Sequence, residues 1–336
     1  MSDAMHEQHP RVSDVTDLRR IALVTARQAM ALDEDLSPLA DALHHAGVEV
    51  HVLPWDAAQD WSQFDMLLLR STWDYTSRLA EFLNWAERAS RLAPLVNNLA
   101  TVRWNIDKHY LGALARAGID VVPTTFLEPD ADVPTALERF LAQDRCAELV
   151  IKPAVGAGSR GAQRHPRNAR AAAMAHARQL LAAGHSVVLQ PYLARVDQEG
   201  EAALIFFGGE FSHSIRKGPL LQSGAGATTE LFAAETISAR AVAADELALA
   251  HQALAAVPFG IPLYARVDLL QDGAGQPRLL ELELIEPSLF FAHAPPAAAR
   301  FAHCIRLFAL QQPGRYNQLH PAGDHVRPPP QSEPRN

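Results

Sequence analysis

The chain of 336 residues is long enough to form two or three packed units with a substantial core. Its hydrophobic content of 48%, charged content of 20% and net charge of −8 are typical of a globular protein, and they argue against nucleic acid or a membrane surface as a partner. No apolar run is long enough to span a bilayer and no signal-peptide core is present, so we expect a cytoplasmic protein. The two cysteines, Cys146 and Cys304, are too few for a disulfide framework.

The first part of the chain alternates short apolar strands with helices, which predicts a parallel α/β sheet. Strands are predicted at 20–25, 48–53 and 64–69, and helices at 36–46 and 79–92. A polar and aromatic segment follows the third strand, and ligands of such sheets bind beyond the carboxyl ends of the strands. We interpret this segment as substrate-binding; the alternative is a loop that only packs an aromatic side chain under a helix. Its candidate residues are Arg70, Ser71, Trp73, Asp74 and Tyr75.

A second unit is predicted from residue 98, with helices over 98–117, 134–141 and 168–183 and strands over 149–153 and 186–192. Lys152 ends the first of these strands, and a glycine-rich loop follows it. Glycines let backbone N–H groups approach phosphate oxygens, and a lysine supplies the matching charge. The loop lacks the ending of a Walker A motif, and an ordinary turn is the alternative interpretation. Its candidate phosphate-binding residues are Gly156, Gly158, Ser159 and Gly161.

Two further segments of this unit are candidates for contacts with the same ligand. Lys108 lies in the first predicted helix, where a lysine is usually a solvated surface residue. The strand end Gln190, Pro191, Tyr192 and Leu193 could present an amide and backbone groups to an adenine edge, or could simply connect two units.

The third unit is predicted to contain two hairpins and a helix over 245–257. The first hairpin pairs 201–207 with 210–215, and Glu201 lies at its start. Arg216 and Lys217 lie at its end, where two positive charges would neutralise a phosphorylated intermediate.

The second hairpin contains the most informative segment, LLELELIEPSLFF at 279–291. Residues two apart on a strand point to the same face, so Glu281 and Glu283 project side by side from apolar surroundings. Two carboxylates in a medium of low dielectric constant repel each other and require a positive group between them. Asp268, on the strand 261–270 before the turn at 272–276, offers a third oxygen ligand. The hairpin therefore predicts a Mg²⁺ site; an exposed strand face of alternating polarity is the alternative.

The order of these motifs resembles that of the ATP-grasp ligases over roughly residues 20–310. Within that superfamily the chain is similar to the glutathione-synthetase-like branch, in which the carboxylate hairpin usually reads Glu-x-Asn. This chain departs from that pattern, because Glu283 replaces the asparagine and adds a negative charge. The segments RSTWDY and ELELIEPSLFF resemble those of the cyclo-ligases of cycloserine biosynthesis, which close O-ureido-serine to an isoxazolidinone ring. The motifs that carry the resemblance are Lys108, Lys152 with its loop, Gln190-Pro-Tyr-Leu, Gly200-Glu201, Arg266-Val-Asp268, and Glu281-Leu-Glu283 with Pro287-Ser288.

The resemblance implies an α/β fold of the ATP-grasp type with three subdomains. A parallel-sheet N-terminal domain over 20–97 would precede two α+β units, a lid subdomain over 98–192 and a metal-binding subdomain over 193–312, which enclose ATP. Residues 1–19 and 313–336 would be a disordered lead and tail.

The resemblance also implies an ATP-dependent carboxylate–amine ligase that acts through an acylphosphate and cyclises O-ureido-D-serine to D-cycloserine. Alternatives are a dipeptide or glutathione-synthetase-like ligase, an ATP-dependent phosphotransferase and an inactive nucleotide-binding scaffold. The substrate would be small and amino-acid-like, and a homo-oligomer stays an option.

The same resemblance assigns roles to individual residues. ATP would contact Lys108, Lys152, Gly156, Gly158, Ser159, Gly161, the segment 190–193 and Glu201, while Asp268, Glu281 and Glu283 would bind two Mg²⁺ ions or Mn²⁺ in their place. Arg266, Arg216 and Lys217 would be catalytic, and Ser288 would join the segment at 70–75 around the substrate.

Overall fold

The computed structural model describes residues 18–227 and 236–311. The predicted tail lies outside these residues, as does the predicted lead apart from residues 18 and 19. No helix in this part of the chain is long and apolar enough to cross a membrane.

The N-terminal region forms the predicted parallel sheet, with strand order β2-β1-β3-β4. All four residues of β3 are buried, which explains why this strand reads as a continuous apolar run rather than an alternating one. A short 3-10 helix, Trp73–Ser77, follows β3. The elements are β1 (Arg20–Thr25), α1 (Leu36–His45), β2 (Glu49–Pro54), β3 (Met66–Leu69), α2 (Leu79–Leu92) and β4 (Leu95–Val96).

The predicted helix over 98–117 is wrong in one respect, because it breaks into α3 (Leu99–Asn105) and α4 (Tyr110–Arg116). The Asp107 carboxylate accepts a hydrogen bond from the backbone N–H of His109 at 3.0 Å, a local contact that competes with helix formation. At the break the backbone N–H of Lys108 donates to the carbonyl of Ala154 instead of to a helical partner. Lys108 therefore lies in a buried turn and not on a solvated helix face.

The central region contains an antiparallel sheet with strand order β5-β8-β6-β7. The glycine-rich loop connects β6 to β7, and apolar side chains of two helices cover one face of the sheet. The elements are β5 (Thr125–Leu127), α5 (Val133–Gln143), β6 (Glu148–Pro153), β7 (Gln163–Pro166), α6 (Arg170–Ala182) and β8 (Val187–Pro191).

The third sheet has the order β11-β10-β9-β12-β13 and contains both predicted hairpins. Helix α8 packs on one face, and α9 packs on the other together with α1 of the N-terminal region. The elements are α7 (Val196–Glu199), β9 (Glu201–Phe207), β10 (Glu210–Lys217), β11 (Ile237–Arg240), α8 (Ala244–Ala255), β12 (Tyr264–Gln271), β13 (Pro277–Glu283) and α9 (Ala297–Leu310). The exact division into subdomains at 97 and 192 stays a prediction.

Candidate active site

One pocket lies where the three sheets meet and is lined by residues of all three regions. The chain has three lysines, Lys108, Lys152 and Lys217, and all of them line this pocket. Their shared location means that lysine, the rarest charged residue of this sequence, is used here for one site. The other predicted site residues in its lining are Trp73, Tyr75, Gly156, Gly158, Ser159, Gln190, Pro191, Tyr192, Leu193, Glu201, Arg266, Asp268, Glu281, Glu283 and Ser288.

The carboxylates of the second hairpin are aligned by strand register. Asp268 on β12 pairs with Glu281 on β13, and Arg266 pairs with Glu283. Because residues two apart share a face, these four side chains form one charged patch on the pocket wall. The alternative of an exposed alternating strand face is thereby excluded, since Asp268 is only 2% exposed.

Lysines and arginines neutralise most of this negative charge. Lys108 Nζ lies 2.8 Å from Glu281 Oε1, and Lys152 Nζ lies 3.9 Å from Glu281 Oε2. Arg266 Nε lies 2.9 Å from Asp268 Oδ1, and Arg266 also pairs with Glu283. Ion pairs between different elements thus hold both glutamates of β13, Glu281 through Lys108 and Glu283 through Arg266.

Lys217, on β10 of the first hairpin, adds a further positive charge to the carboxylate patch. Its Nζ lies 2.9 Å from Asp268 Oδ2, and it also pairs with Glu201 on the neighbouring strand. Burial acts to raise the pKa of Asp268, but Arg266 and Lys217 outweigh it and hold that pKa well below its usual range. Asp268 is therefore a permanent carboxylate at this site.

Two pocket carboxyls behave in the opposite way. Burial, reinforced by the carboxylates of Asp268 and Glu281 and opposed by Arg266, raises the pKa of Glu283 to about 7. Burial and the carboxylate of Glu283 raise the pKa of Glu286 to about 8. The positive charges of the pocket are therefore insufficient to keep every carboxyl ionised. A bound cation would stabilise the ionised carboxylates, so this charge balance favours cation binding.

The donor set fits a magnesium ion that is shared with phosphate oxygens. Within 18–227 and 236–311, no three side chains of His, Cys, Asp and Glu are placed to hold a metal ion by themselves. Mg²⁺ is usually bound by one or two carboxylates together with substrate phosphates and water, and not by an all-protein cage. Glu281 and Glu283 on one strand face, with Asp268 opposite, supply the oxygen ligands of that arrangement.

The glycine-rich loop is tied to the lysines. The carbonyl of Gly156 accepts a hydrogen bond from Lys108 Nζ at 3.0 Å. Gly158 and Ser159 both have φ of +59°, a left-handed conformation that turns the loop sharply above Pro153. Gly161 is also left-handed, and a side chain there would meet Pro153, so its role in the described structure is to close the turn and not to line the pocket.

The structure does not bring four other predicted site residues to the pocket wall, as judged from the described residues. Asp74 accepts a hydrogen bond from Trp55 Nε1 at 2.8 Å and lies 3.6 Å from Arg78. Because consecutive strand residues face opposite ways, Arg216 points away from Lys217, and its Nη2 donates to the carbonyl of Gln198. Arg70 and Ser71 are buried beneath the site, where Ser71 Oγ lies 2.6 Å from the hydroxyl of Thr25.

Sequence reasoning missed several lining residues. Glu286 was given no role, although it lines the pocket and accepts a hydrogen bond from Tyr75. Asn105 was missed because it lies inside a predicted helix; its side chain bonds the backbone of Leu282 and Leu284 and so fixes the end of β13. Lys108 was a candidate but was placed on a helix, and the scarcity of lysine in the sequence is a second signal in its favour.

Comparison with known proteins identifies the family. A family model described as the N-terminal domain of D-cycloserine synthetase DcsG matches residues 21–97. The chain is also 39% identical over 292 residues to the cycloserine biosynthesis protein DcsG of Streptomyces lavendulae, which covers 85% of this chain and 97% of that protein. The chain belongs to the DcsG family.

Solved structures agree on the fold. The crystal structure of D-cycloserine synthetase DcsG matches with a TM-score of 0.81 and 37% identity, covering 86% of this chain and 99% of that one. D-alanine–D-alanine ligase of Bacillus anthracis complexed with ATP has a TM-score of 0.62 and 16% identity, covering 88% and 99% of the two chains. ATP-grasp ligase PsnB complexed with a minimal precursor, Mg and ADP has a TM-score of 0.58 and 15% identity, covering 87% and 98%. The predicted ATP-grasp fold is confirmed, and this member of the DcsG family is an ATP-grasp ligase.

Proposed function

We propose that this DcsG-family ligase cyclises O-ureido-D-serine to D-cycloserine with consumption of ATP. The observation that carries the proposal is the convergence of Lys108, Lys152 and the glycine-rich loop with the carboxylate patch, in a chain 39% identical to a cycloserine biosynthesis protein. Each half of that pocket has a separate chemical task.

The first half would hold the nucleotide. Lys108 and Lys152 supply fixed charges for phosphate oxygens, and the backbone of the glycine-rich loop borders the same space. The strand end at 190–193 offers backbone groups and the side chain of Gln190 to the base. Because the loop connects two strands of the central sheet, it can cover the phosphates and exclude water from an acylphosphate.

The second half would hold the metal ions and the reacting carboxylate. Asp268, Glu281 and Glu283 would bind two Mg²⁺ ions, with Mn²⁺ as a substitute. When bound, these ions would neutralise the charge that develops on the transferred phosphoryl group. Arg266 and Lys217 border the same space and would stabilise an anionic acylphosphate with their positive charges.

Ring closure needs little further help from the protein. The attacking nitrogen and the activated carboxyl belong to one molecule, so the pocket has only to hold it in a folded conformation. Attack of this nitrogen on the acyl carbon displaces phosphate, and the carbamoyl group on the nitrogen is lost by hydrolysis as carbon dioxide and ammonia, which leaves the N–H of the ring. Trp73, Tyr75, Ser288 and Phe290 line the part of the pocket next to the carboxylate patch and are our candidates for this task.

Phosphate release tests the proposal when it is measured with Mg²⁺ and ATP against a panel of acceptors. We expect O-ureido-D-serine alone to stimulate ATP turnover, and single or paired proteinogenic and D-amino acids to leave it at the background rate. Stimulation by an amino-acid pair but not by O-ureido-D-serine would replace the proposal with a dipeptide or glutathione-synthetase-like ligase. A phosphorylated substrate as the final product would indicate a phosphotransferase.

A further inference from the structure

Glu286 differs from the other carboxylates of the pocket in having no ion-pair partner. Lys or Arg side chains pair with each of the other described acidic residues in the lining, which are Glu201, Asp268, Glu281 and Glu283. In the part of the chain that the structure describes, no Lys, Arg or His lies within ion-pair distance of Glu286. Its carboxyl accepts a hydrogen bond from the hydroxyl of Tyr75, with 2.7 Å between that hydroxyl and Oε1.

The backbone around Glu286 is held in place by side chains from distant parts of the chain. Trp73 Nε1 donates to the carbonyl of Glu286 at 3.1 Å, and Arg70 Nη2 donates to the carbonyl of Pro287 at 2.7 Å. The hydroxyl of Tyr264 donates to the carbonyl of Ile285 at 2.8 Å. Three consecutive carbonyls are therefore fixed, and the carboxyl of Glu286 is presented to the pocket from a rigid support.

The charge state of Glu286 supports a role in binding a cation. The residue is 8% exposed, and burial together with the carboxylate of Glu283 raises its pKa to about 8, while the hydrogen bond from Tyr75 and the charge of Lys108 act to lower that pKa. A buried carboxylate without a counter-ion is unfavourable, and a positively charged ligand removes that penalty. No described Lys or Arg side chain pairs with Glu286, so the ligand-free carboxyl binds a proton more readily, and an ammonium group of the ligand would favour its ionised form.

We propose, on the basis of the proposed function, that Glu286 binds the α-ammonium group of the amino-acid substrate and that Tyr75 is the positioning residue for its carboxylate. Asp74, the acidic residue among the substrate-binding candidates at 70–75, does not compete for this role, because its carboxylate bonds Trp55 outside the pocket. The site then selects substrates with a free α-amino group and rejects N-acylated amino acids and carboxylates without an amine.

The test combines a change in the enzyme with the matching change in the substrate. Steady-state kinetics are measured for wild type and Glu286→Gln with O-ureido-D-serine and with its des-amino analogue, in which hydrogen replaces the ammonium group. Glutamine keeps the volume of Glu286 and an oxygen acceptor for Tyr75, so only the charge is lost. For the wild type we expect kcat/KM to fall about tenfold or more when the ammonium group is removed, the value of a charge-assisted pair.

For Glu286→Gln we expect kcat/KM with O-ureido-D-serine to fall by the same factor, mainly through a higher KM. Removal of the ammonium group from the substrate should then lower kcat/KM of this variant no further. Tyr75→Phe should raise KM for O-ureido-D-serine with little change in kcat, because it removes the group that orients Glu286 but leaves the charge. Asp74→Asn is the matched control and should retain the full preference of the wild type for the ammonium group. The ATP dissociation constant should be the same in all four proteins.

Retention of the wild-type preference in Glu286→Gln would overturn the proposal, as would loss of that preference in Asp74→Asn. If Glu286→Gln does not fold, an unchanged KM in Tyr75→Phe overturns it instead. A wild-type enzyme that consumes no ATP with O-ureido-D-serine would remove the proposed function and this inference together. Failure of the proposed function is distinguished from failure of this inference alone, because the former appears already in the wild-type enzyme and the latter only in the variants.

Discussion

Lys108 and Glu281 form a direct ion pair in the pocket, with Nζ 2.8 Å from Oε1, and the second oxygen of Glu281 lies 3.9 Å from Lys152 Nζ. One carboxylate therefore holds two lysines that come from different elements, the turn between α3 and α4 and the end of β6. Nucleotide phosphates would replace Glu281 as the partner of both lysines and leave Glu281 for a metal ion.

We predict that Lys108→Ala and Lys152→Ala each raise the ATP dissociation constant by about tenfold or more, the value of one charge-assisted bond. The sequence placed Lys108 in a helix, where a lysine is usually solvated, but in the structure it is buried and bonded to the glycine-rich loop, so we expect it to matter as much as Lys152. Isothermal titration calorimetry with ATP and Mg²⁺ measures both constants. Arg145→Ala, an exposed cation outside the pocket lining, is the control, and wild-type affinity in either lysine variant would contradict the assignment.

We predict that Glu283→Gln and Asp268→Asn both abolish turnover but differ in stability. Burial, with the neighbouring carboxylates of Asp268 and Glu281, raises the pKa of Glu283 to about 7, so its neutralisation should leave the melting temperature in EDTA unchanged or higher. Asp268 forms ion pairs with Arg266 and Lys217. Asp268→Asn removes the negative charge from both of these buried ion pairs and should therefore destabilise the fold.

Differential scanning fluorimetry in EDTA should therefore show a clear loss of stability for Asp268→Asn alone. Exposed Glu210 on β10 provides the control variant Glu210→Gln. Equal melting temperatures for the Glu283 and Asp268 variants would show that the ion pairs of Asp268 do not stabilise the fold. Both variants should gain less stability than wild type from ATP with Mg²⁺.

The raised pKa of Glu286 predicts how the stability of the ligand-free protein depends on pH. Its pKa is about 8 in the folded state against 4.5 for an ordinary glutamate, so the folded state binds more protons between these values. The stabilisation is fully present below pH 4.5 and is lost as the pH rises through about 8. Glu286→Gln should consequently gain melting temperature relative to wild type as the pH rises from 6 to 9. A constant difference over that range would show that Glu286 is ionised throughout.

We predict that Asp35 contributes to stability and to substrate binding, although it lies outside the pocket lining. Its carboxylate accepts hydrogen bonds from the backbone N–H groups of Leu289, Phe290 and Phe291, at 2.5, 3.1 and 2.9 Å. Asp35→Asn turns one acceptor into a donor and should cost about 1–3 kcal/mol in the free energy of unfolding. It should also raise KM for the amino-acid substrate, because the segment that it holds includes Ser288 and Phe290 of the pocket. Asp41→Asn on the exposed side of α1 is the control, and equal unfolding free energies of the two variants would contradict this account.

The sequence predicted the parts of the site that depend on local pattern. Alternation along β13 placed Glu281 and Glu283 on one face, and the turn at 272–276 brought Asp268 opposite, as the strand register confirms. Lys152 was predicted correctly at the end of a strand because an apolar run bounded by proline and glycines has few other interpretations. These features depend only on residues within one strand or one hairpin.

The rest depends on contacts between distant residues, which no local pattern reports. The loop after β13 is held by Asp35 and Arg70, which lie 254 and 217 residues away from their partners in the sequence. The break at Lys108 was missed because apolar periodicity continues from α3 into α4, and only the side chain of Asp107 and the contact with Ala154 reveal it. Asp74 was placed in the site because its segment follows a strand, yet its side chain turns to Trp55.

The most direct measurement is the identity of the product formed from O-ureido-D-serine by the purified enzyme with ATP and Mg²⁺. We predict a compound with the mass and chromatographic retention of authentic D-cycloserine, formed together with ADP and phosphate in equal amounts. The double variant Glu281→Gln, Glu283→Gln should form none of it. Consumption of ATP with a linear amide, a phosphorylated O-ureido-serine or unchanged substrate as the outcome would contradict the cyclisation.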